Sequence, residues 1–381
     1  MTTLHAARFA PGTRPGGSPS GTPQQTVARR AAARWARAAV RGAVVRGGLV
    51  AVLAVAAAGT IRAQAADAID FPMPAQDQIV PAGAQVELVS ATAEFSEGPV
   101  PAADGTILFS DIGDRILRYD PSTGETSIYR EPSGRANGMM YDRQGRLVVC
   151  EGANGGGRRI SLTERDGTIR ALADRYEGRR FNSPNDLAVS PAGYVYFSDP
   201  RYVGDEPREL DFEAVFAIAP DGALRVATRD VQKPNGVLVS PDGTVLYVAD
   251  NNPGADGARQ LLAFQIREDG SLAQRRVLYR FTHTPRGIDG MTLDRDGRIY
   301  AAAGRDETSG VYVFDPTGQP LAYIPTPGTP TNCVFGIGDE AQVLYITAAV
   351  PPEVAQRGEG PFGLYRIALK TTGYHLYEPQ Q

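Results

Sequence analysis

The sequence predicts an all-β chain folded as a six-bladed β-propeller of four-stranded antiparallel blades. Three observations predict it. A short segment recurs six times with one internal spacing, the recurrences lie about 40 to 54 residues apart, and strand-like runs alternate with turns between them. The segments read SEGPVPAADG, RANGMMYDRQG, SPNDLAVSPAG, KPNGVLVSPDG, GIDGMTLDRDG and PTNCVFGIGDE. In the first five, a carboxylate or amide residue precedes a turn glycine by eight positions: Glu97, Asn137, Asn185, Asn235 and Asp289. The sixth, Asn332, keeps the spacing but meets Glu340 in place of glycine.

In chain order, residues 1–65 differ from everything that follows. They hold nine arginines and no acidic residue, then an apolar run (GGLVAVLAVAAAGT) and Ala63-Gln64-Ala65. A basic stretch, an apolar stretch and a small-residue cleavage site describe a signal peptide cut after Ala65, with export to the periplasm or medium. The apolar run is short for a bilayer span, so no stable membrane insertion is expected after cleavage; a retained anchor is the alternative. Arg29-Arg30 leaves the twin-arginine route open. Residues 66–84 read as a linker, and 85–381 as the propeller. Losing the nine leader arginines leaves 30 basic against 43 acidic residues, a net charge of about −13. That excludes a basic nucleic-acid footprint.

The run QVELVSATAEF (85–95) precedes the first recurrence and has no hairpin partner of its own. It is expected to complete the sixth blade and close the ring, removing two open edges. Each recurrence then supplies an inner strand, a turn and a second strand: TILFSD, RLVVCE, YVYFSD, TVLYVAD, RIYAAA and QVLYIT. Hairpins such as RILRYDPSTGETSIYR and AVFAIAPDGALRVAT supply the outer pair. The 43 glycines and 29 prolines serve these turns. Cys150 and Cys333 fall in non-adjacent blades, so they are expected as buried thiols, although export permits disulfides.

The inner strands line the channel, so Glu97, Asn137, Asn185, Asn235, Asp289 and Asn332 should converge at one mouth. Asp111, Glu151, Asp199 and Asp250 end the second strands and should lie just outside it; Asp199 and Asp250 are candidates to orient the amides. Asn-Gly and Asp-Gly are also ordinary turn dipeptides, which is the plain reading of Asn137-Gly138, Asn235-Gly236 and Asp289-Gly290. Glu97-Gly98-Pro99 and Asn185-Asp186 are poor turns that keep the same spacing. Six converging oxygen side chains need water or a cation at their centre. Oxygen donors favour Ca²⁺, with Mg²⁺ or Mn²⁺ as alternatives; with no histidine or cysteine in register, Zn²⁺ ranks last. The stretch from Arg201 to Phe212 should form a lid, and Arg201, Tyr202 or Arg286 are candidates to contact substrate.

At these residues the sequence resembles the gluconolactonase family that also contains regucalcin, and more distantly the paraoxonases and diisopropylfluorophosphatase. The resemblance rests on Ser96-Glu97-Gly98-Pro99, Asn182-Ser183-Pro184-Asn185-Asp186, Phe197-Ser198-Asp199-Pro200, Pro234-Asn235-Gly236 and Asp289-Gly290, and spans about residues 85 to 370. It implies one divalent metal ligated by Glu97, Asn235 and Asp289. Asn185 is implied as a contact to substrate or water and in some members a fourth ligand; Asn137 is a further candidate to contact substrate. Asp289 is implied as general base of a hydrolase opening a lactone, a sugar lactone such as gluconolactone first. A carboxylate that also holds a dication is a weakened base, which leaves the initiator of attack open. An esterase or phosphotriesterase on the same ring, or a non-catalytic binding propeller, are the other readings. The pocket wall departs from the family pattern: Gly152 follows Cys150-Glu151 where a histidine is common, and Ser183 stands where regucalcin-like members have arginine.

Overall fold

The computed structural model describes residues 70–355 and 360–377; the segment read as a signal peptide lies outside the described residues. Six four-stranded antiparallel sheets follow one another along the chain. Their innermost strands are Ser96–Pro101, Ala136–Tyr141, Leu187–Val189, Pro234–Val239, Ile288–Leu293 and Pro330–Phe335. In the first five blades the next three strands follow outward in chain order. The sixth is completed by Glu87–Ala93, which pairs antiparallel with Phe362–Ala368. The ring therefore closes as the unpaired first strand required. The five turn glycines, Gly105, Gly145, Gly193, Gly243 and Gly297, take φ of 84°, 71°, 87°, 74° and 77°. Only glycine adopts that conformation without strain, which explains the regular spacing.

A blade has two apolar faces and cannot cover both, so the core lies between blades. Phe109, Leu117 and Tyr119 of blade one pack on Tyr345 and Leu364 of blade six. Tyr196, Val215 and Ala217 of blade three meet Val237, Leu246 and Val248 of blade four. Residues 70–84 are not the linker expected. Phe71 is buried among Tyr312 and Phe314. Gln76 exchanges two hydrogen bonds with Tyr323, its Nε2 donating to the carbonyl at 3.0 Å and its Oε1 accepting from the N–H at 2.9 Å. The side-chain amide thus blocks the open edge of blade five.

After the last strand the chain crosses under the ring on the side of the turns. Gly373 N donates to Ala341 O and Tyr374 N to Leu293 O, both at 3.0 Å. Tyr374 and His375 line a channel cavity of about 90 Å³ together with Met139, Asp186 and Cys333. The channel is therefore floored by the C-terminal segment and faces the opposite mouth, where the oxygen-bearing residues lie. Both cysteines are free and buried. Among the described residues no helix is long and apolar enough to cross a membrane.

Candidate metal centre

The strand register breaks at the recurring polar residue in five of the six inner strands, between Glu97 and Val100, Ala136 and Met139, Pro234 and Val237, Ile288 and Met291, and Pro330 and Asn332. Such a bulge leaves a residue out of the ladder and re-aims the local side chains. Asn137, Asn235 and Asp289 are themselves left out, whereas Glu97 still pairs with Ser110 and Asn332 with Thr347 beside the break. The following glycine then lets the next blade come close. A Cβ on Gly98 would strike the Asn137 carbonyl, one on Gly138 the Asp186 carboxylate, one on Gly236 the Asp289 carbonyl, and one on Gly290 the Asn332 amide. The Asn-Gly and Asp-Gly pairs therefore lie inside strands and are not turn dipeptides. Blade three has no glycine there; Asp186 Oδ2 instead accepts from Val237 N of blade four at 3.3 Å. Asn332 Nδ2 reaches Glu97 Oε2 at 3.2 Å and closes the circle. The side chains of Glu97 and Asn332 thus meet, as do those of Asn235 and Asp289, while Asn137 and Asn185 are joined to their neighbouring blades through their backbone carbonyls.

Three of the four carboxylates ending the second strands act on the backbone, not on the amides. Asp111 accepts from the N–H groups of Glu94 and Phe95, Asp199 from those of Asn182 and Ser183, and Asp250 from those of Gln232 and Lys233. In every case these donors lie three and two residues before the ring residue. Asp199 and Asp250 were expected to orient the amide side chains; they pin the chain leading to Asn185 and Asn235 instead. Glu151 does neither, and pairs with Arg159 at 2.7 Å. The glycine-rich run behind it is compact: Gly152 N bonds Arg135 O, and Gly157 N bonds Gly134 O.

Electrostatics at the mouth are anionic. Burial, then the charge of Asp289, holds the Glu97 carboxyl well above its usual range. Burial also raises Asp289, opposed by the Arg286 guanidinium and a hydrogen bond from Asn235. Arg286 pairs with Asp289 Oδ2 and donates to Pro330 O at 2.7 Å. Asp186, which sequence reasoning passed over, is pushed by burial up to about 7. Its two oxygens accept from Leu187 N and Val237 N, so it holds blades three and four together below the ring.

The residues fit a divalent cation held by oxygen. Glu97 uses only Oε2 for Gly98 N and Asn332 Nδ2, which leaves Oε1 outside any hydrogen bond among the described residues. Asn235 bonds through Nδ2, leaving Oδ1 as a donor to metal. Asn332 differs: its Oδ1 takes Cys333 N at 2.8 Å and its Nδ2 holds Glu97, so both ends of its amide are already engaged. Among the described residues no group of three or more His, Cys, Asp or Glu side chains is placed to hold a metal. A cation at this mouth must therefore use amide oxygens beside Glu97 and Asp289, a donor set suited to Ca²⁺ or Mg²⁺ rather than Zn²⁺.

The lid after Asp199 spans three blades. Arg201, expected as a substrate contact, is engaged within the lid's own surroundings. Its Nη2 donates to Asn182 O at 2.7 Å and its Nη1 to Glu206 O at 3.1 Å. Glu206 Oε1 accepts from Gly155 N of blade two at 2.6 Å. On the other side Tyr202 reaches blade four, its hydroxyl donating to Asn251 O at 3.0 Å and accepting from Asn235 Nδ2 at 3.3 Å. Burial and the Asp289 charge keep that phenol well above its ordinary pKa, so it is a neutral hydroxyl.

The profile of the SMP-30/gluconolactonase/LRE-like region matches residues 95–350, all six inner strands included. The chain belongs to this family. A gluconolactonase of Zymomonas mobilis is 32% identical over 304 residues, covering 72% of this chain and 82% of its own. A pentonolactonase of Haloferax volcanii is 28% identical over 300 residues, covering 75% and 94%. The solved structure of a gluconolactonase from Xanthomonas campestris superposes with a TM-score of 0.66 at 32% identity, over 79% of this chain and 95% of that one. Lactone-hydrolysing relatives thus share the whole propeller.

Within this family frame, the supporting residues were harder to see than the ring. Asn332 carried the spacing, but its role as a holder of Glu97 depends on rotamers. Arg286 had a weak signal, three residues before Asp289 in a loop. Asp186 had none beyond its place after Asn185.

Proposed function

We propose that the protein is an exported, divalent-metal-dependent lactonase that opens a sugar lactone at the mouth ringed by Glu97, Asn185, Asn235 and Asp289. The observation that carries it is two buried carboxylates, Glu97 and Asp289, close enough for the charge of Asp289 to raise Glu97, each hydrogen-bonded by an amide side chain, Asn332 and Asn235. A cation bound there would supply polarisation of the lactone carbonyl and stabilisation of developing negative charge. The chain's own groups do the rest. Arg286 pairs with Asp289 Oδ2, and an Asp289 oxygen not taken up by the cation is the group that would accept a proton from the attacking water. Water adds at the acyl carbon, the ring C–O bond breaks, and the proton ends on the released alkoxide to give a hydroxy acid. Arg286 places a fixed positive charge where the product carboxylate forms. Asn185 and Asn137, both partly open at the mouth, are the amides available to substrate hydroxyls.

The test is glucono-1,5-lactone hydrolysis by the chain from Ala66, followed by proton release with uncatalysed opening subtracted. Chelation should abolish turnover, and restoring Ca²⁺, Mg²⁺, Mn²⁺ or Zn²⁺ singly should recover it and rank the ions. Turnover indifferent to chelation would overturn the metal reading. Activity on aryl esters or phosphotriesters but on no lactone would overturn the substrate class. Export rests on the basic leader and Ala63-Gln64-Ala65, and a mature N-terminus at Ala66 in the periplasm or medium checks it.

A further inference from the structure

We propose that Tyr202 is a positioning residue for Asn235: its hydroxyl holds the amide so that Oδ1, not Nδ2, is offered to the ring centre, which links lid placement to cation affinity. The inference rests on the metal reading above. The two ends of an asparagine amide have nearly the same shape and opposite hydrogen-bonding character, and only the oxygen can hold a cation. Something must decide which end faces inward.

Tyr202 is built to decide it. A tyrosine at a surface commonly buries its ring and wets its hydroxyl. Here the arrangement is inverted: the residue is 37% exposed, while its hydroxyl is turned in against Asn235 and Asn251. The hydroxyl has one proton, and two carbonyls that can only accept it stand nearby, Asn251 O at 3.0 Å and Lys233 O at 3.5 Å. Towards Asn235 it therefore presents a lone pair, which attracts Nδ2 and repels Oδ1. The Asp289 carboxylate, an acceptor that also takes a hydrogen bond from Asn235, acts in the same sense. Turning the amide over would set its oxygen against both.

The tyrosine is held in place from two sides. Arg201, next to it, is tied to Asn182 O and Glu206 O. The Lys233 ammonium lies 5.0 Å from the Tyr202 ring centre and is itself held by both Glu213 oxygens at 3.0 Å. The lid thus reaches a ligand of the proposed metal through one hydroxyl.

The test is calorimetric titration of metal-stripped protein with CaCl₂, for wild type, Tyr202→Phe, Asn235→Asp and the double variant. Phenylalanine keeps the ring and its place over Lys233 but loses the hydroxyl. It should weaken Ca²⁺ binding about fivefold, the scale of one neutral hydrogen bond. An aspartate has oxygen at both ends and needs no orienting, so in the Asn235→Asp background the same change should alter affinity less than about twofold. Equal loss in both backgrounds would mean that Tyr202 acts through lid packing, and would overturn the inference. So would unchanged affinity in Tyr202→Phe. Wild type that binds none of Ca²⁺, Mg²⁺, Mn²⁺ or Zn²⁺ would overturn the metal reading and this inference with it, a result distinct from the other two.

Discussion

A single methyl group at Gly290 should disable the ring without touching any proposed ligand. Gly290 is not in the left-handed region, so its backbone accepts alanine. The obstacle is steric: the new Cβ would lie inside the Asn332 side-chain amide, against Cγ, Oδ1 and Nδ2 together. Asn332 must rotate or withdraw, and either movement breaks its hydrogen bonds to Glu97 Oε2 and Cys333 N. Overpacking of this kind costs about 2 kcal/mol, or a fall of about 3 °C in the midpoint of a chain this size. The second effect is on Glu97. Losing a hydrogen bond to a charged group is worth about 1.5 kcal/mol, so cation affinity should fall about tenfold. Thermal unfolding of the metal-free protein measures the first, because bound metal would mask it by mass action. Calorimetric titration with CaCl₂ measures the second. If Gly290→Ala melts lower yet binds Ca²⁺ within about twofold of wild type, Asn332 does not hold Glu97 in a ligating position and the reasoning fails.

Other perturbations separate the ligands from their scaffold. Asp289→Ala should abolish metal-dependent turnover while circular dichroism still reports the β-propeller; full activity at matched metal would remove Asp289 from the site. Cation affinity should depend on pH with a definite sign. Glu97 in the metal-free fold holds its proton above the usual carboxylate range, and a cation must expel it, so affinity rises with pH and is weakest in acid. Calorimetry in two buffers of different ionisation enthalpy should show proton release, and pH-independent binding from about pH 5 to about pH 7 would contradict it. Asp199→Ala strips the acceptor from the N–H groups of Asn182 and Ser183 and should destabilise by about 2–4 kcal/mol, read from denaturant unfolding. A loss under about 0.5 kcal/mol would show that the pinning is dispensable.

The parts of this molecule that were legible in the sequence are those written in a local period. A turn glycine with positive φ must recur wherever two strands meet at a tight corner, so the blades announced themselves, and the unpaired run at 85–95 announced the closure. The ring was legible for the same reason: its residues stand at a fixed distance from those turns. Their neighbours misled. An asparagine before glycine reads as a turn because that is the commonest use of the pair, and the alternative use depends on what the next blade presents. Gly98, Gly138, Gly236 and Gly290 are glycine because a carbonyl or side chain of the adjoining blade occupies the space a Cβ would take. No local pattern contains that neighbour.

The same distinction explains why the second carboxylate set was misjudged. Antiparallel pairing does return Asp199 and Asp250 to the mouth, as the spacing required. At the end of a strand, however, a carboxylate meets the chain descending into its own blade before it meets any ligand side chain. Two backbone N–H groups lie there with no ladder partner, and buried donors without acceptors are costly. The carboxylates of Asp111, Asp199 and Asp250 satisfy them, three times in the same relation to the ring residue. The consequence is that the placement of the candidate ligands is set through the backbone, blade by blade. Side chains then add the finer control: Asn332 on Glu97, Arg286 on Asp289 and Tyr202 on Asn235. Arg286 comes from the segment leading into the strand of Asp289, but Asn332 and Tyr202 come from elsewhere in the fold, so the candidate centre is shaped by the closure of the ring and the seating of the lid together.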